Sequence, residues 1–141
     1  MPLELDKPIE ELAYKVIGCA IEVHRVVGPG YLESVYENAL AVELEKQGIV
    51  FERQYPVDIE YKGVNVGQGR IDLLVAGIII LELKAVDQLA PIHQAQVISY
   101  LKATDLQLGL LINFNTDVLK DGIKRIVLTS RSWRLGGYKN G

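Results

Sequence analysis

The sequence predicts a mixed α/β fold, with a central mixed sheet of four to five strands flanked by helices. Two observations support this prediction. The spacing of apolar residues changes from a helical period to alternation after residue 48, and Ile78–Val86 is the nearly continuous aliphatic run that is typical of a strand covered on both faces. The chain has 141 residues, 49% hydrophobic and 23% charged. We expect a single domain over residues 1–141, with a core at about 9–129 and a basic tail at 130–141.

Two helices are predicted before any strand. Apolar residues between Ile9 and Val27 recur at the spacing of one helical face, and Gly28-Pro29-Gly30 ends this helix. A second helix is predicted from about Leu32 to Lys46, because Gly48 follows it as a stop.

Three strands are predicted next. From Ile49 to Lys62 the odd positions are mostly apolar and the even positions polar, which indicates a half-exposed strand. Pro56 within it indicates an edge or a bulge. Val64–Val75 is expected to pair with this strand through a turn at Lys62-Gly63, and the central strand Ile78–Val86 follows.

A crossover is predicted after the central strand. Pro91–Thr104 is expected to be a helix, Leu106–Phe114 a short strand and Ile123–Thr129 a last strand. Ala85–Gln107 is long enough for a helical crossover, so the fourth strand is expected to run parallel to the third. The predicted order is therefore ααβββαβ(β).

The composition excludes several classes of protein. A single cysteine, Cys19, excludes an intramolecular disulfide, a four-cysteine zinc site and a cysteine-held iron–sulfur cluster. The longest apolar stretch, Leu73–Leu81, is too short to span a bilayer, and Met1–Lys7 does not resemble a signal peptide. We therefore expect a cytoplasmic protein with no membrane partner.

The charge is acidic overall but unevenly distributed. The net charge of −3 argues against a protein held on nucleic acid by bulk charge alone. Residues 120–141 nevertheless hold six of the 15 basic residues, which is compatible with a phosphate-contacting edge or with a solvated tail.

Charged residues interrupt two of the predicted strands. Glu82 and Lys84 lie two apart in the central strand, so both point to one face with Cα atoms about 7 Å apart. Asp72 interrupts the aliphatic end of the preceding strand. Buried ions need a partner charge or a metal, because a bare buried ion costs several kcal/mol. A buried ion pair, a strand end at solvent and a functional site all fit this pattern.

The loop between these strands decides whether the two acids meet. A two-residue loop at Ala76-Gly77 would place residue 71 opposite Glu82 and turn Asp72 to the other face. A three-residue loop or a bulge would bring Asp72 and Glu82 to one face. A shared site therefore predicts an odd-length connection or a bulge.

Two predicted helices carry further polar side chains. Glu33 lies near the apolar stripe of its helix and can reach the rim of a site on the sheet, although it is also an ordinary first-turn acid. His93, Gln96 and Tyr100 share one face of the third helix, which is also compatible with an exposed polar face. Three acids and a lysine without cysteine ligands indicate a hard cation, Mg²⁺ or Mn²⁺.

These residues resemble a known group of proteins. Asp72 followed by Glu82-Leu83-Lys84 resembles the core motif of the PD-(D/E)XK nuclease superfamily, and Gln96-Val97-Ile98-Ser99-Tyr100 resembles the QxxxY motif of its recombination-type exonuclease branch. Gly30-Tyr31-Leu32-Glu33-Ser34-Val35-Tyr36 matches the motif that names the GxxExxY protein family within that superfamily. The resemblance extends from about Ile9 to Val127, and it departs at Ile71, where proline is common in the superfamily.

The resemblance implies a restriction-endonuclease-like core and a metal-dependent nuclease that acts on DNA or RNA. The catalytic residues that it implies are Asp72, Glu82, Lys84, Gln96 and Tyr100, and the implied ligands of Mg²⁺ (or Mn²⁺) are Glu33, Asp72 and Glu82. Lys84 would position or activate water and steady the phosphate charge. Gln96 and Tyr100 would orient the site or contact the substrate backbone.

Other functions stay open on the sequence alone. A nuclease-fold module that binds nucleic acid or a protein partner without cleavage fits the acidic composition and the lack of a separate DNA-binding domain. A structural domain, in which the acids and the lysine form a buried ion-pair network, would lack Mn²⁺ affinity at Asp72 and Glu82. A homodimer is also expected, because one small acidic domain offers little surface for gripping a duplex.

Overall fold

The computed structural model describes residues 5–129, so the basic tail predicted at 130–141 lies outside the described residues. Over residues 5–129 the chain forms three α-helices, five β-strands and one short 3₁₀ helix. Their bounds are α1 Lys7–Val27, α2 Glu33–Lys46, β1 Phe51–Tyr61, β2 Val64–Val75, β3 Ile79–Lys84, α3 Pro91–Thr104, β4 Leu108–Asn113, the 3₁₀ helix Leu119–Gly122 and β5 Ile123–Val127. The 3₁₀ helix is the one element that the sequence patterns did not predict, because four residues are too few to show a period.

The strands form one mixed sheet in the order β1-β2-β3-β4-β5. β3 and β4 pair in parallel, and the other neighbours pair antiparallel. The predicted mixed fold and the predicted parallel fourth strand are therefore confirmed. β1 lies at an edge of the sheet, as Pro56 indicates. The proline nitrogen carries no hydrogen, so it cannot donate to a neighbouring strand.

Helices cover both faces of the sheet. α1 and α2 bury one face, where Tyr36 and Leu40 pack with Leu81. α3 buries the other face, where Val97 packs with Ile80. Because helices cover β3 on both sides, the aliphatic side chains on both of its faces are buried. The two apolar layers hold the strand ends in place. In the part of the chain that the structure describes, no helix is long and apolar enough to cross a membrane.

The alternation along β1 breaks at Gln54. Phe51 packs with the α1–α2 layer, whereas Tyr55 and Val57 pack with the α3 layer, although all three are odd-numbered. Gln54 has a φ of 50°, in the left-handed region that side chains other than glycine rarely adopt. The half-exposed strand predicted from Ile49 to Lys62 is therefore present as β1, but its apolar side chains change face at Gln54, because the reversed φ turns the strand.

A three-residue loop joins β2 to β3. Val75 pairs with Ile79, and the Ile78 amide donates to the Val75 carbonyl oxygen at 2.9 Å across the loop. Ala76 and Gly77 both adopt positive φ, 52° and 67°, which reverses the chain tightly. The odd-length connection that a shared site requires is therefore present.

Candidate active site

Asp72 and Glu82 lie opposite each other at the end of the ladder between β2 and β3. The last regular pair is Leu73 with Leu81, and the next step of this register brings the two acids together. At this step, main-chain amides donate to carboxylate oxygens instead of to main-chain carbonyl oxygens. The Asp72 amide donates to Glu82 Oε2 at 2.7 Å, and the Leu83 amide donates to Asp72 Oδ2 at 2.8 Å. Each acid is therefore held by an amide of the neighbouring strand.

Both carboxyl groups are shielded from water. Glu82 is 2% exposed, and Asp72 is half-buried. Burial raises the pKa of Glu82 to about 8, and the negative charge of Asp72 adds to this shift. Burial likewise raises the pKa of Asp72, against the opposing effect of the hydrogen bond from the Leu83 amide; the nearby charge of Glu37 also raises this pKa, and Lys84 lowers it. Both acids therefore favour the neutral form more than they would in water.

Lys84 connects this pair to α3. Its Nζ donates to Gln96 Oε1 at 3.4 Å, and Gln96 Nε2 donates to the Tyr100 hydroxyl at 3.5 Å. The same hydroxyl accepts from the Arg70 amide on β2 at 3.4 Å. These contacts are long, yet they form a continuous path from the lysine to the strand that carries Asp72. The structure therefore brings together Lys84, Gln96 and Tyr100, as the motifs suggested.

Gly69 allows Tyr100 to lie against β2. A Cβ at position 69 would stand 2.6 Å from Tyr100 Cε1, which is closer than such atoms approach. Tyr100 is 8% exposed, so the ring has little room to move away. The glycine thus sets the distance between α3 and the strand of Asp72.

Glu33 is the first residue of α2. Its side chain is exposed, and its charge adds to the rise in the pKa of Glu82. Tyr36 fixes the turn before it, because the Tyr36 hydroxyl donates to the Gly28 carbonyl oxygen at 2.6 Å and accepts from the Tyr31 amide at 3.2 Å. The Tyr36 ring stacks on Phe114 with centroids 4.5 Å apart. Tyr36 therefore has a structural role in holding the turn before α2.

His93 has a local structural contact. Its Nδ1 accepts from the Ala90 amide at 3.0 Å, which satisfies a donor at the start of α3. The helical spacing places His93 on the face of Gln96 and Tyr100, but this hydrogen bond holds its ring at the helix N-terminus.

Sequence reasoning missed Glu37 and Gln54. Glu37 lies one turn after Glu33 on α2 and accepts from Arg53 Nε at 2.9 Å and from Gln54 Nε2 at 2.7 Å. Gln54 Nε2 is also 3.5 Å from Asp72 Oδ1. The spacing of four between the two glutamates was the available signal, since it places both on one side of the helix.

The donor set fits a hard divalent cation. Among residues 5–129, no three Asp, Glu, His or Cys side chains stand close enough together to form a ready-made metal site. Asp72 and Glu82 nevertheless offer carboxylate oxygens beside one another, and the negative charge of Asp72 adds to the rise in the pKa of Glu82, a repulsion that a bound cation would relieve. Oxygen donors of this kind suit Mg²⁺ or Mn²⁺.

The fold and the site together define a class of protein. The mixed sheet carries Asp72 on β2 and both Glu82 and Lys84 on the neighbouring strand β3. Residues 10–126 match the sequence model of the PD-(D/E)XK nuclease superfamily, and the chain belongs to that superfamily. No curated protein matches the chain significantly.

Proposed function

We propose that this protein is a Mg²⁺- or Mn²⁺-dependent nuclease that hydrolyses phosphodiester bonds of DNA or RNA. The observation that carries this proposal is the pair of hydrogen bonds that hold the two acids, from the Asp72 amide to the Glu82 carboxylate and from the Leu83 amide to the Asp72 carboxylate. Asp72 and Glu82 are the proposed cation ligands, and Glu33 on α2 is a further ligand. The match to a nuclease superfamily supports the same chemistry.

The proposed reaction needs a nucleophilic water and compensation of the charge that develops on the phosphate. A bound divalent cation supplies acidified water and positive charge. Lys84 adds an ammonium group with three donors, which can hold a water or a phosphate oxygen. Gln96 accepts from this ammonium, whose charge acts to lower the pKa of both Asp72 and Glu82. Tyr100 anchors Gln96 to β2 through its hydroxyl.

Within the superfamily, we assign the chain to the GxxExxY family and to the branch with the QxxxY motif. The first assignment is supported by the contacts of Tyr36, which hold the turn before Glu33. The second is supported by the contact between Gln96 and Tyr100. We further propose that residues 1–141 act as a single cytoplasmic domain and that a homodimer provides the surface for nucleic acid.

A cleavage assay tests this function. Single- and double-stranded DNA and RNA would be incubated with Mg²⁺ or Mn²⁺, with EDTA as the metal-free control. Glu82→Gln and Lys84→Met should each abolish cleavage, since one removes a ligand charge and the other removes the ammonium. Glu60→Gln and Lys62→Met change exposed residues of the β1–β2 hairpin and serve as matched controls that should cut normally.

Three results would contradict the proposal. Cleavage that survives in both site variants would place the activity elsewhere. A wild-type protein that binds Mn²⁺ but cuts none of the four substrates would favour a module that binds nucleic acid without cleavage. A wild-type protein that does not bind Mn²⁺ would favour a structural ion-pair network.

A further inference from the structure

We propose that Gln54 is a positioning residue that fixes the carboxylate of Asp72 for cation binding. This inference rests on the proposed function, because the orientation of Asp72 matters only if Asp72 is a ligand. Gln54 belongs to neither of the motifs that the sequence resembles, and it lies on the edge strand β1.

The backbone at Gln54 is strained at the position that faces Asp72. Arg53 pairs with Leu73 and Tyr55 pairs with Ile71, but the step between these pairs lacks a regular partner. Gln54 adopts a φ of 50° at that step. A glutamine in the left-handed region within a strand is unfavourable, and such strain persists where the surroundings hold it, often beside functional groups.

The surroundings of Gln54 hold its side chain on two acids. Gln54 Nε2 donates to Glu37 Oε1 at 2.7 Å and lies 3.5 Å from Asp72 Oδ1. Glu37 is itself held by Arg53 Nε, which donates to its other oxygen at 2.9 Å. The short bond to Glu37 therefore anchors the amide, and the anchored amide faces Asp72.

Two donors then define the orientation of the Asp72 carboxylate. The Leu83 amide donates to Oδ2 at 2.8 Å, and the Gln54 amide faces Oδ1. One donor alone leaves the carboxylate free to rotate, whereas one donor on each oxygen fixes its plane. Partners that orient metal ligands in this way commonly contribute ten- to a hundredfold to metal affinity.

The chemistry of the amide suits this task. A lysine or arginine at position 54 would also hold Asp72, but its positive charge would compete with the cation. A glutamine amide donates hydrogen bonds without adding charge. Glu37 adds negative charge close to Asp72, which favours a cation there. The pair of Gln54 and Glu37 thus orients the ligand while the site remains negative.

Substitution by asparagine separates positioning from backbone conformation. Asparagine is among the residues that best tolerate positive φ, so Gln54→Asn preserves the backbone but shortens the side chain by one methylene. Lys62 has a φ of 51° in the β1–β2 turn, and Lys62→Asn is therefore a matched control away from the site. Mn²⁺ binding would be measured by calorimetry, and the melting temperature of the metal-free protein would be measured alongside.

We expect Gln54→Asn to bind Mn²⁺ about tenfold more weakly with little change in melting temperature. Lys62→Asn should bind as the wild type does. Equal affinity in Gln54→Asn and the wild type would overturn the inference and leave the proposed function intact. An equal loss in Lys62→Asn would also overturn it. A wild-type protein without Mn²⁺ affinity would instead overturn the proposed function.

Discussion

The Asp72 amide donates to the Glu82 carboxylate at 2.7 Å, so these two acids are joined through the main chain of β2. Removing the side chain of Asp72 leaves this bond intact, because the donor is the backbone. Removing the carboxylate of Glu82 leaves a main-chain donor without its acceptor. Removing the carboxylate of Asp72 likewise leaves the Leu83 amide without its acceptor, so an isosteric amide is the cleaner replacement at each position.

Metal-free protein is expected to lose stability as the pH rises. The pKa of Glu82 is about 8 in the folded protein and 4.5 at its ordinary value. Between these values the folded state binds more protons than the unfolded state, so the free energy of unfolding falls with rising pH, by on the order of 5 kcal/mol. Melting temperatures in EDTA from pH 5 to pH 9 test this. Glu82→Gln should flatten the decrease, and Glu60→Gln should not. A stability that rises over this window would contradict the prediction.

Divalent metal is expected to stabilise the folded protein. Binding to the folded state alone raises the free energy of unfolding by about 2.7 kcal/mol when Mn²⁺ is at 100 times its Kd. The shift in melting temperature on adding Mn²⁺ measures this effect. Asp72→Asn should abolish the shift, whereas Asp58→Asn, at an exposed acid of β1, should retain it. A shift that survives in Asp72→Asn would place the cation elsewhere.

Replacing Gly69 by alanine is expected to displace Tyr100. The added Cβ would lie 2.6 Å from Tyr100 Cε1, and overpacking of this kind costs about 1–3 kcal/mol. Cleavage should fall as well, because Tyr100 anchors Gln96. Gly67→Ala is the matched control, since its Cβ would meet nothing within 4 Å. Chemical denaturation and the cleavage assay give the two readouts, and wild-type behaviour of Gly69→Ala would refute this role for the glycine.

Removing the hydroxyl of Tyr36 is expected to loosen the turn before Glu33. Tyr36→Phe keeps the stacking on Phe114 but loses the bonds to the Gly28 carbonyl and the Tyr31 amide, at a cost of about 1–2 kcal/mol. Tyr14 is 82% exposed, so Tyr14→Phe is the control and should leave the free energy of unfolding unchanged. Equal stability of the two variants would show that the hydroxyl bonds contribute nothing.

Periodicity was sufficient to predict the element order and the parallel crossover. The aliphatic run at Ile78–Val86 identified the central strand, and the length of Ala85–Gln107 predicted its connection to β4. The relative placement of Asp72 and Glu82 did not follow from periodicity, because two loop lengths were compatible with the residues. The three-residue loop depends on a positive φ at Ala76. Alanine rarely adopts positive φ, so the residue type does not indicate this conformation.

The contact between Gln54 on β1 and Asp72 could also not be predicted from the sequence patterns. A glutamine in a predicted strand does not indicate a left-handed backbone. Gln54 adopts this conformation because Glu37, itself held by Arg53, binds its side chain. These contacts join residues 16 and 17 positions apart. Without the position of β1, Glu37 cannot be distinguished from an ordinary acid on a helix. Residues that act through tertiary contacts are therefore the ones that pattern reasoning missed.

The three-residue loop Ala76–Ile78 makes this protein unusually sensitive to insertions and deletions. Losing one loop residue would shift the register of β2 against β3 by one and bring Ile71, in place of Asp72, opposite Glu82. A change of two residues that keeps a three-residue loop would shorten or lengthen the hairpin by one strand pair, and it would therefore preserve the pairing of the acids. Variation in the length of this hairpin among natural or engineered forms is therefore expected to occur in even steps.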